Sequence, residues 1–242
     1  MKVNEKVKSL RNLMKEKGIK AYIIPTSDPH QSEYLADHYK TRVWISGFTG
    51  SAGTVVVTED KAILWTDGRY FIQAENELAG SEIELFKMGI PGFPTYMEWL
   101  RDNLEEGDTL GFDGKVFPLS DVKKLEKEIG NKKIEFIDEF DLVGELWTNR
   151  PPMPKSEAFV HDVKYTGKTA KEKIGEVRKE MEKKGADYFL LGSLDDIAWI
   201  YNIRGRDVAC NPVVISYALI SKDKAWLFVD KDKIDAKVES YL

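Results

Sequence analysis

Residues 5–24, EKVKSLRNLMKEKGIKAYII, and residues 172–191, EKIGEVRKEMEKKGADYFLL, are one pattern written twice, and that pattern decides the fold. In the first, Val7, Leu10, Leu13 and Met14 recur at helical spacing, Lys17-Gly18 stops the helix, and Ala21-Tyr22-Ile23-Ile24 follows as an apolar run. In the second, Ile174, Val177 and Met181 form the stripe, Lys184-Gly185 ends it, and Tyr188-Phe189-Leu190-Leu191 is the run. A shift of 167 residues places Arg11 on Arg178, Met14 on Met181, Lys17 on Lys184 and Gly18 on Gly185. Thr169 and Glu172 add a capping box to the second helix. Each copy therefore predicts helix, turn and buried strand.

The correspondence continues in the same order. Val43-Trp44-Ile45 answers Ala198-Trp199-Ile200, and Gly50 answers Gly205. Asp60-Lys61-Ala62-Ile63-Leu64-Trp65 answers Asp223-Lys224-Ala225-Trp226-Leu227-Phe228, with Asp67 on Asp230. Ordered matches of this kind argue for a duplicated unit rather than a shared composition bias. The first copy runs on through an amphipathic segment at 70–78, a helix capped by Thr95 and Glu98, a strand at 109–112, a helix at 120–129 and a strand at 134–137. Strands alternating with helices predict an α/β fold, a mixed sheet covered by helices. Asn149-Arg150-Pro151-Pro152-Met153-Pro154 holds three prolines that neither a helix interior nor a central strand accommodates. The expected organisation is a first domain over 1–150, a proline-rich linker over 151–164 and a partial second domain over 165–242. The second copy has no counterpart of residues 80–148. Either its domain is smaller or the chain is a fragment, and the closeness of the match favours the fragment.

At 242 residues, 42% hydrophobic and 32% charged, the chain can bury a core without staples. Lys+Arg 36 against Asp+Glu 41 leaves no basic stripe for a phosphate backbone, so nucleic acid is not an expected partner. Cys210 is the only cysteine; it has no partner for a disulfide or a thiol pair and suits a reducing compartment. The opening charges lead into no apolar core and no long apolar run occurs, so neither a secretory signal nor a membrane span is expected. The expected location is cytoplasmic.

Chemistry is sparse. The segment SGFTGSAGT at 46–54 spaces glycines by three and could cradle an anion. It lacks the Lys-Ser/Thr of a phosphate loop and runs into Val55-Val56-Val57, so a tight strand-to-strand loop is expected. Asp67-Gly68-Arg69 follows the apolar strand Ala62-Ile63-Leu64-Trp65 directly, and strand ends often carry functional groups. The alternative is an Asp-Gly turn with a weak surface ion pair. The repeat favours function: the second copy keeps Asp230 but follows it with Lys231-Asp232, whereas an arginine needed by the fold would recur. Three histidines, His30, His38 and His161, in no metal-ligand spacing, are too few for a hydrolytic metal pair. His30, in Asp28-Pro29-His30, is read as a solvated turn residue before a functional one. There is no G-x-S-x-G elbow, and Cys210 has no histidine nearby in sequence. Cys210-Asn211-Pro212 is read as a turn before a strand at 213–215. Asp195-Asp196, at a helix start, suits the helix dipole better than a metal.

These residues carry a resemblance. Tyr22-Ile23-Ile24-Pro25, His30-Gln31-Ser32-Glu33-Tyr34, the glycine segment, Trp65-Thr66-Asp67-Gly68-Arg69-Tyr70-Phe71, Leu146-Trp147-Thr148-Asn149-Arg150-Pro151, Leu194-Asp195-Asp196-Ile197-Ala198-Trp199 and Asn202-Ile203-Arg204-Gly205 resemble the N-terminal part of Xaa-Pro aminopeptidases of the three-domain cytosolic type. The resemblance implies two related creatinase-N-terminal-like, ribonuclease H-like units, each a mixed sheet flanked by helices, the second cut short here. It implies a following pita-bread catalytic domain, absent from this sequence, that holds two manganese ions. The reaction implied is removal of the N-terminal residue from peptides with proline second, by a metal-bridged hydroxide. Proline-containing peptides are the implied partners, and a homodimer the implied assembly. The family's motif arginine contacts substrate, which maps a substrate-binding role onto Arg69. No catalytic or metal-binding residue is expected in these 242 residues, and no role is carried to His30. The chain is then a non-catalytic portion contributing substrate gating and assembly. The alternative is a free-standing binding or assembly module derived from the same domain.

Overall fold

In the computed structural model, helix α1 (Val3–Glu16) turns Val7, Leu10 and Met14 inward, as the stripe requires. Gly18 ends it in the left-handed region at φ 69°, and the Ile19 N–H donates back to Met14 O at 2.8 Å. The chain then enters β1 (Ala21–Pro25). Residues 1–242 are all described, and they divide into two units: 1–33 with 39–151, and 34–38 with 152–242.

The first unit continues with α2 (Thr41–Ser46), β2 (Thr54–Thr58), β3 (Ala62–Thr66), α3 (Phe71–Glu77), β4 (Glu84–Lys87), α4 (Tyr96–Asn103), β5 (Thr109–Phe112), α5 (Leu119–Ile129), β6 (Glu135–Ile137) and α6 (Leu142–Leu146). Its sheet has the order β4-β3-β2-β1-β5-β6. β2 runs antiparallel to β1 and β3, while the β3/β4, β1/β5 and β5/β6 pairs are parallel, so the sheet is mixed. The period-2 pleat divides β1 between two cores. Tyr22 and Ile24 join Val7, Leu10 and Met14 of α1 and Leu142 and Val143 of α6. Ala21 and Ile23 join Leu100 of α4 and Leu125 and Ile129 of α5. Strand β4 is absent from the sequence reading, although Ile83-Glu84-Leu85-Phe86 carried a weak signal; its single parallel pairing to β3 at an edge leaves its side chains only partly buried.

The second unit holds β7 (Phe159–Val160), α7 (Val163–Thr166), α8 (Ala170–Lys183), β8 (Tyr188–Leu191), α9 (Leu194–Tyr201), β9 (Ile203–Arg204), β10 (Ser216–Ser221), β11 (Ala225–Val229) and α10 (Ala236–Tyr241). The repeat extends to individual hydrogen bonds. Arg11 Nε donates to Thr58 O at 2.8 Å and Arg178 Nε to Ser221 O at 2.8 Å. Lys6 Nζ donates to Trp44 O at 2.7 Å and Lys173 Nζ to Trp199 O at 2.8 Å.

Four features of the second unit differ from the sequence reading. The sheet order is β11-β10-β8 and all its pairs are antiparallel, because the parallel pairs of the first unit come from β4, β5 and β6, which have no counterpart here. For the same reason the run Tyr188–Leu191 is not a buried strand: β8 is an edge, and only Leu191 is buried. Residues 213–215 form no strand, although Val213 and Val214 are buried; the strand starts at Ser216. Within 151–164, read as a linker, Phe159–Val160 pairs with β9 and Val163–Thr166 is a helical turn.

Candidate functional site

Strand β3 ends inside the first core and its continuation ends outside it. Trp65 is buried and its indole donates to Pro94 O at 2.8 Å; Thr66 is buried and its hydroxyl donates to Ala52 O at 2.7 Å. With both groups satisfied the strand end is anchored, and the next three residues turn outward. Asp67 Oδ1 accepts from the Arg69 backbone N–H at 3.0 Å and from Nε at 2.9 Å, and Oδ2 accepts from Nη2 at 2.8 Å. The guanidinium also lies 5.2 Å from the Tyr70 ring centre. The hydrogen bonds from Arg69 hold the Asp67 carboxyl below its ordinary range, and those same bonds raise the guanidinium above its own. Even so, the Arg69 side chain is 66% exposed. The side-on clamp uses two of its five N–H donors and leaves the others able to meet a carboxylate or carbonyl. An exposed cation fixed in direction can orient an anionic or carbonyl-bearing ligand.

The glycine segment packs against Tyr70, the residue after this turn. It joins α2 to β2, not strand to strand, because 41–46 is helical and Gly47 caps it at φ 74°. Only Gly47 uses a positive φ; the other two glycines are set by space. A Cβ at Gly50 would meet the Phe48 and Tyr70 rings, and one at Gly53 would lie 3.0 Å from Trp65 O. Arg42 holds the segment from beneath, donating from its two Nη groups to Phe48 O and Gly50 O and from Nε to Thr26 Oγ1 at 2.9 Å. Burial pulls this guanidinium down to about 10, with Glu77 and Tyr70 opposing, so it stays charged near neutrality. The Ser51 and Tyr70 hydroxyls meet at 2.7 Å, tying the segment to the residue beside Arg69. Two N–H groups that might greet an anion are engaged within the unit, Phe48 N–H donating to Ser46 Oγ at 3.1 Å and Thr49 N–H to Glu77 Oε2 at 2.8 Å.

Arg42→Met should therefore leave the buried Phe48 and Gly50 carbonyls without donors and destabilise the first unit by about 2–4 kcal/mol. Urea unfolding measures it, and a change below about 0.5 kcal/mol would deny Arg42 this role.

Other polar residues singled out in the sequence lie in turns or at a helix start. Asp28 is buried, and its Oδ1 accepts from the backbone N–H groups of His30 and Ser32, both at 2.9 Å, so the loop around His30 is closed by the carboxylate. Ser193 caps α9, and Asp195 accepts from Asn211 Nδ2 at 3.3 Å. Cys210 is exposed, with φ 63°. No group of three or more His, Cys, Asp or Glu side chains is arranged to hold a metal ion. Sequence reasoning missed Arg42 and Tyr70 as supports of the glycine segment, because nothing local in Thr41-Arg42-Val43-Trp44 marks an arginine for burial.

Comparison with known proteins identifies the family of both units. The family model for the creatinase/prolidase N-terminal domain matches residues 6–144, and a second model of the same description matches residues 149–242. The chain is 44% identical to aminopeptidase P2 of Arabidopsis thaliana over 99% of its own length and 34% of that protein's. It is 39% identical to Xaa-Pro aminopeptidase 1 of Dictyostelium discoideum, over 99% of this chain and 40% of that one. Among solved structures, an X-prolyl aminopeptidase from Caenorhabditis elegans, described as a cytosolic enzyme with a di-nuclear active site, matches at TM-score 0.93 and 36% identity, over 100% of this chain and 41% of that chain. The chain thus spans roughly two-fifths or less of the length of these relatives.

Proposed function

The chain belongs to the creatinase/prolidase N-terminal domain family, and from that membership we propose that it is the N-terminal, non-catalytic part of a metal-dependent Xaa-Pro aminopeptidase, with Arg69 as a substrate contact. The observation that carries the reading is the full-length match to the C. elegans X-prolyl aminopeptidase, which covers all of this chain but only 41% of that enzyme. The di-nuclear active site of that relative supports a pair of metal ions, manganese by the resemblance, held outside these 242 residues. Its description as cytosolic supports a cytoplasmic location, and no helix here is long and apolar enough to cross a membrane. The substrates are short peptides with proline second, and the whole enzyme works as a homodimer.

Within that enzyme the chain's own groups bind and orient. The Asp67 clamp fixes the Arg69 guanidinium so that it can pair with a peptide carboxylate or carbonyl at the rim of the catalytic cavity, selecting short substrates and setting their direction. The two metal ions would activate water and hold the oxyanion.

The isolated 242-residue chain, supplied with manganese, should release no N-terminal residue from an Arg-Pro-Pro peptide that the full-length enzyme cleaves. Release by the isolated chain at a rate comparable to the full-length enzyme would overturn the proposal.

A further inference from the structure

A groove of about 800 Å³ runs along α8 in the second unit, bounded by Lys173, Val177, Met181, Lys184, Phe189 and Trp199. The first unit has the same groove, and there it is filled. In the repeat, Lys6, Lys17, Tyr22 and Trp44 occupy the places of Lys173, Lys184, Phe189 and Trp199. Residues 140–147 lie across them. The Lys17 ammonium is 4.3 Å from the Phe140 ring and 3.9 Å from a Glu145 oxygen, and Trp147 stacks on Trp44 at 5.6 Å. Leu142 and Val143 are buried against α1 and β1, and the Tyr22 hydroxyl donates to Phe140 O at 2.5 Å. In the second unit Trp199 is 50% exposed and Phe189 44%.

The opposite face of the sheet repeats the contrast. Ala21, Ile23, Ile63 and Trp65 are buried in the first unit with side chains of α4 and α5. Their counterparts Tyr188, Leu190, Trp226 and Phe228 are exposed, at 65%, 68%, 37% and 54%. The edge of β1 that pairs with β5 corresponds to an open edge of β8. Apolar surface of this extent beside an unpaired strand edge marks a contact site.

We propose that the α8 groove is the docking site for a segment of the same polypeptide downstream of Leu242, a short amphipathic helix with the chemistry of residues 140–147. It carries an aromatic ring and an acid for Lys184, branched aliphatics for Val177 and Met181, and a second ring to stack on Trp199. Chain order names the occupant. The filler of the first groove follows the third strand, β3, by way of further helices and strands, so its counterpart follows β11 and falls beyond Leu242. The relatives, of which this chain spans 34% and 40%, have ample length for it. A second copy of the chain is a poor occupant, because its one segment of this chemistry is already buried in its own first unit, with Leu142 0% and Val143 1% exposed. Phe189 lacks the hydroxyl of Tyr22, so the docked segment is held at that point by apolar contact alone.

Hydroxyl-radical footprinting of the 242-residue chain and of the full-length gene product tests this. Labelling of Trp199 and Phe189 should fall about tenfold or more in the longer chain at every protein concentration, as for surface closed by stable packing. Trp199→Ser should lower the unfolding midpoint of the longer chain by more than that of the 242-residue chain, where the half-exposed ring has Lys173 over it at 4.3 Å; equal losses in both would speak against the docked segment. Equal labelling in both chains, or a coding sequence that stops at Leu242, would overturn the proposal. Protection of the 242-residue chain that grows with concentration would assign the groove to a second copy instead, and equally overturn it.

Discussion

In the full-length enzyme, Arg69→Ala should lower kcat/KM for Xaa-Pro peptides about 10- to 100-fold, the range expected for removing a charge-assisted hydrogen bond to substrate. Metal content and unfolding midpoint should not change. The side chain is 66% exposed and its hydrogen bonds run to Asp67, two residues away, so nothing in the core depends on it. Arg69→Lys keeps the charge but not the planar fork that Asp67 grips from the side, and should recover only part of the activity. Asp67→Asn should weaken the clamp and raise KM without removing the cation. Unaltered kcat/KM in Arg69→Ala would deny the arginine its role, and a lowered midpoint would reassign it to the fold.

The largest effect on stability should come from Asp207→Ala, which is expected to destabilise the second unit by about 3–5 kcal/mol. Asp207 and Lys233 form an ion pair at 2.6 Å with side chains 0% and 3% exposed. Both carboxylate oxygens are engaged: Oδ2 also accepts from the Ile215 N–H at 2.7 Å, Oδ1 accepts from the Ser156 hydroxyl at 2.7 Å, and Ser156 Oγ in turn accepts from the Arg206 N–H at 2.9 Å. The pair therefore joins the segment before β7, the loop before β10 and the turn after β11. Removing the carboxylate leaves an ammonium buried with no counter-charge. A double variant, Asp207→Leu with Lys233→Met, should recover most of the loss, since a packed apolar pair has no uncompensated charge. Urea unfolding of the two variants checks both statements. Equal losses in the single and double variants would mean that packing, not the buried charge, sets the cost.

Much of the site was legible in the sequence. Arg69 stood out because the repeat kept its aspartate and changed its arginine, and the fold leaves it exposed after β3 with that aspartate as its clamp. Arg42 was not legible. It is charged, it sits in a helix of six residues, and its burial depends on carbonyls of Phe48 and Gly50 turning toward it. The glycine segment was read by its spacing as a tight strand-to-strand loop that could cradle an anion. Two of those glycines answer instead to the rings of Phe48 and Tyr70 and to a carbonyl of β3, contacts that no spacing rule contains.

By itself the sequence determined the duplicated helix-turn-strand, the capping boxes at Thr95 and Thr169, the glycine stops at Gly18 and Gly185, and the outward turn at Asp67. These are local matters, settled by periodicity and by side chains within a few residues of the backbone groups they serve. Only the tertiary structure decided which apolar runs are buried. Ala21–Ile24 and Tyr188–Leu191 are equally apolar, yet the first lies between two strands and two layers of helix while the second is an edge with one face open. Burial depends on what the rest of the chain brings alongside, and for β1 that means β5, α4 and α5, from about 75 to more than 100 residues away, which no reading of four residues contains.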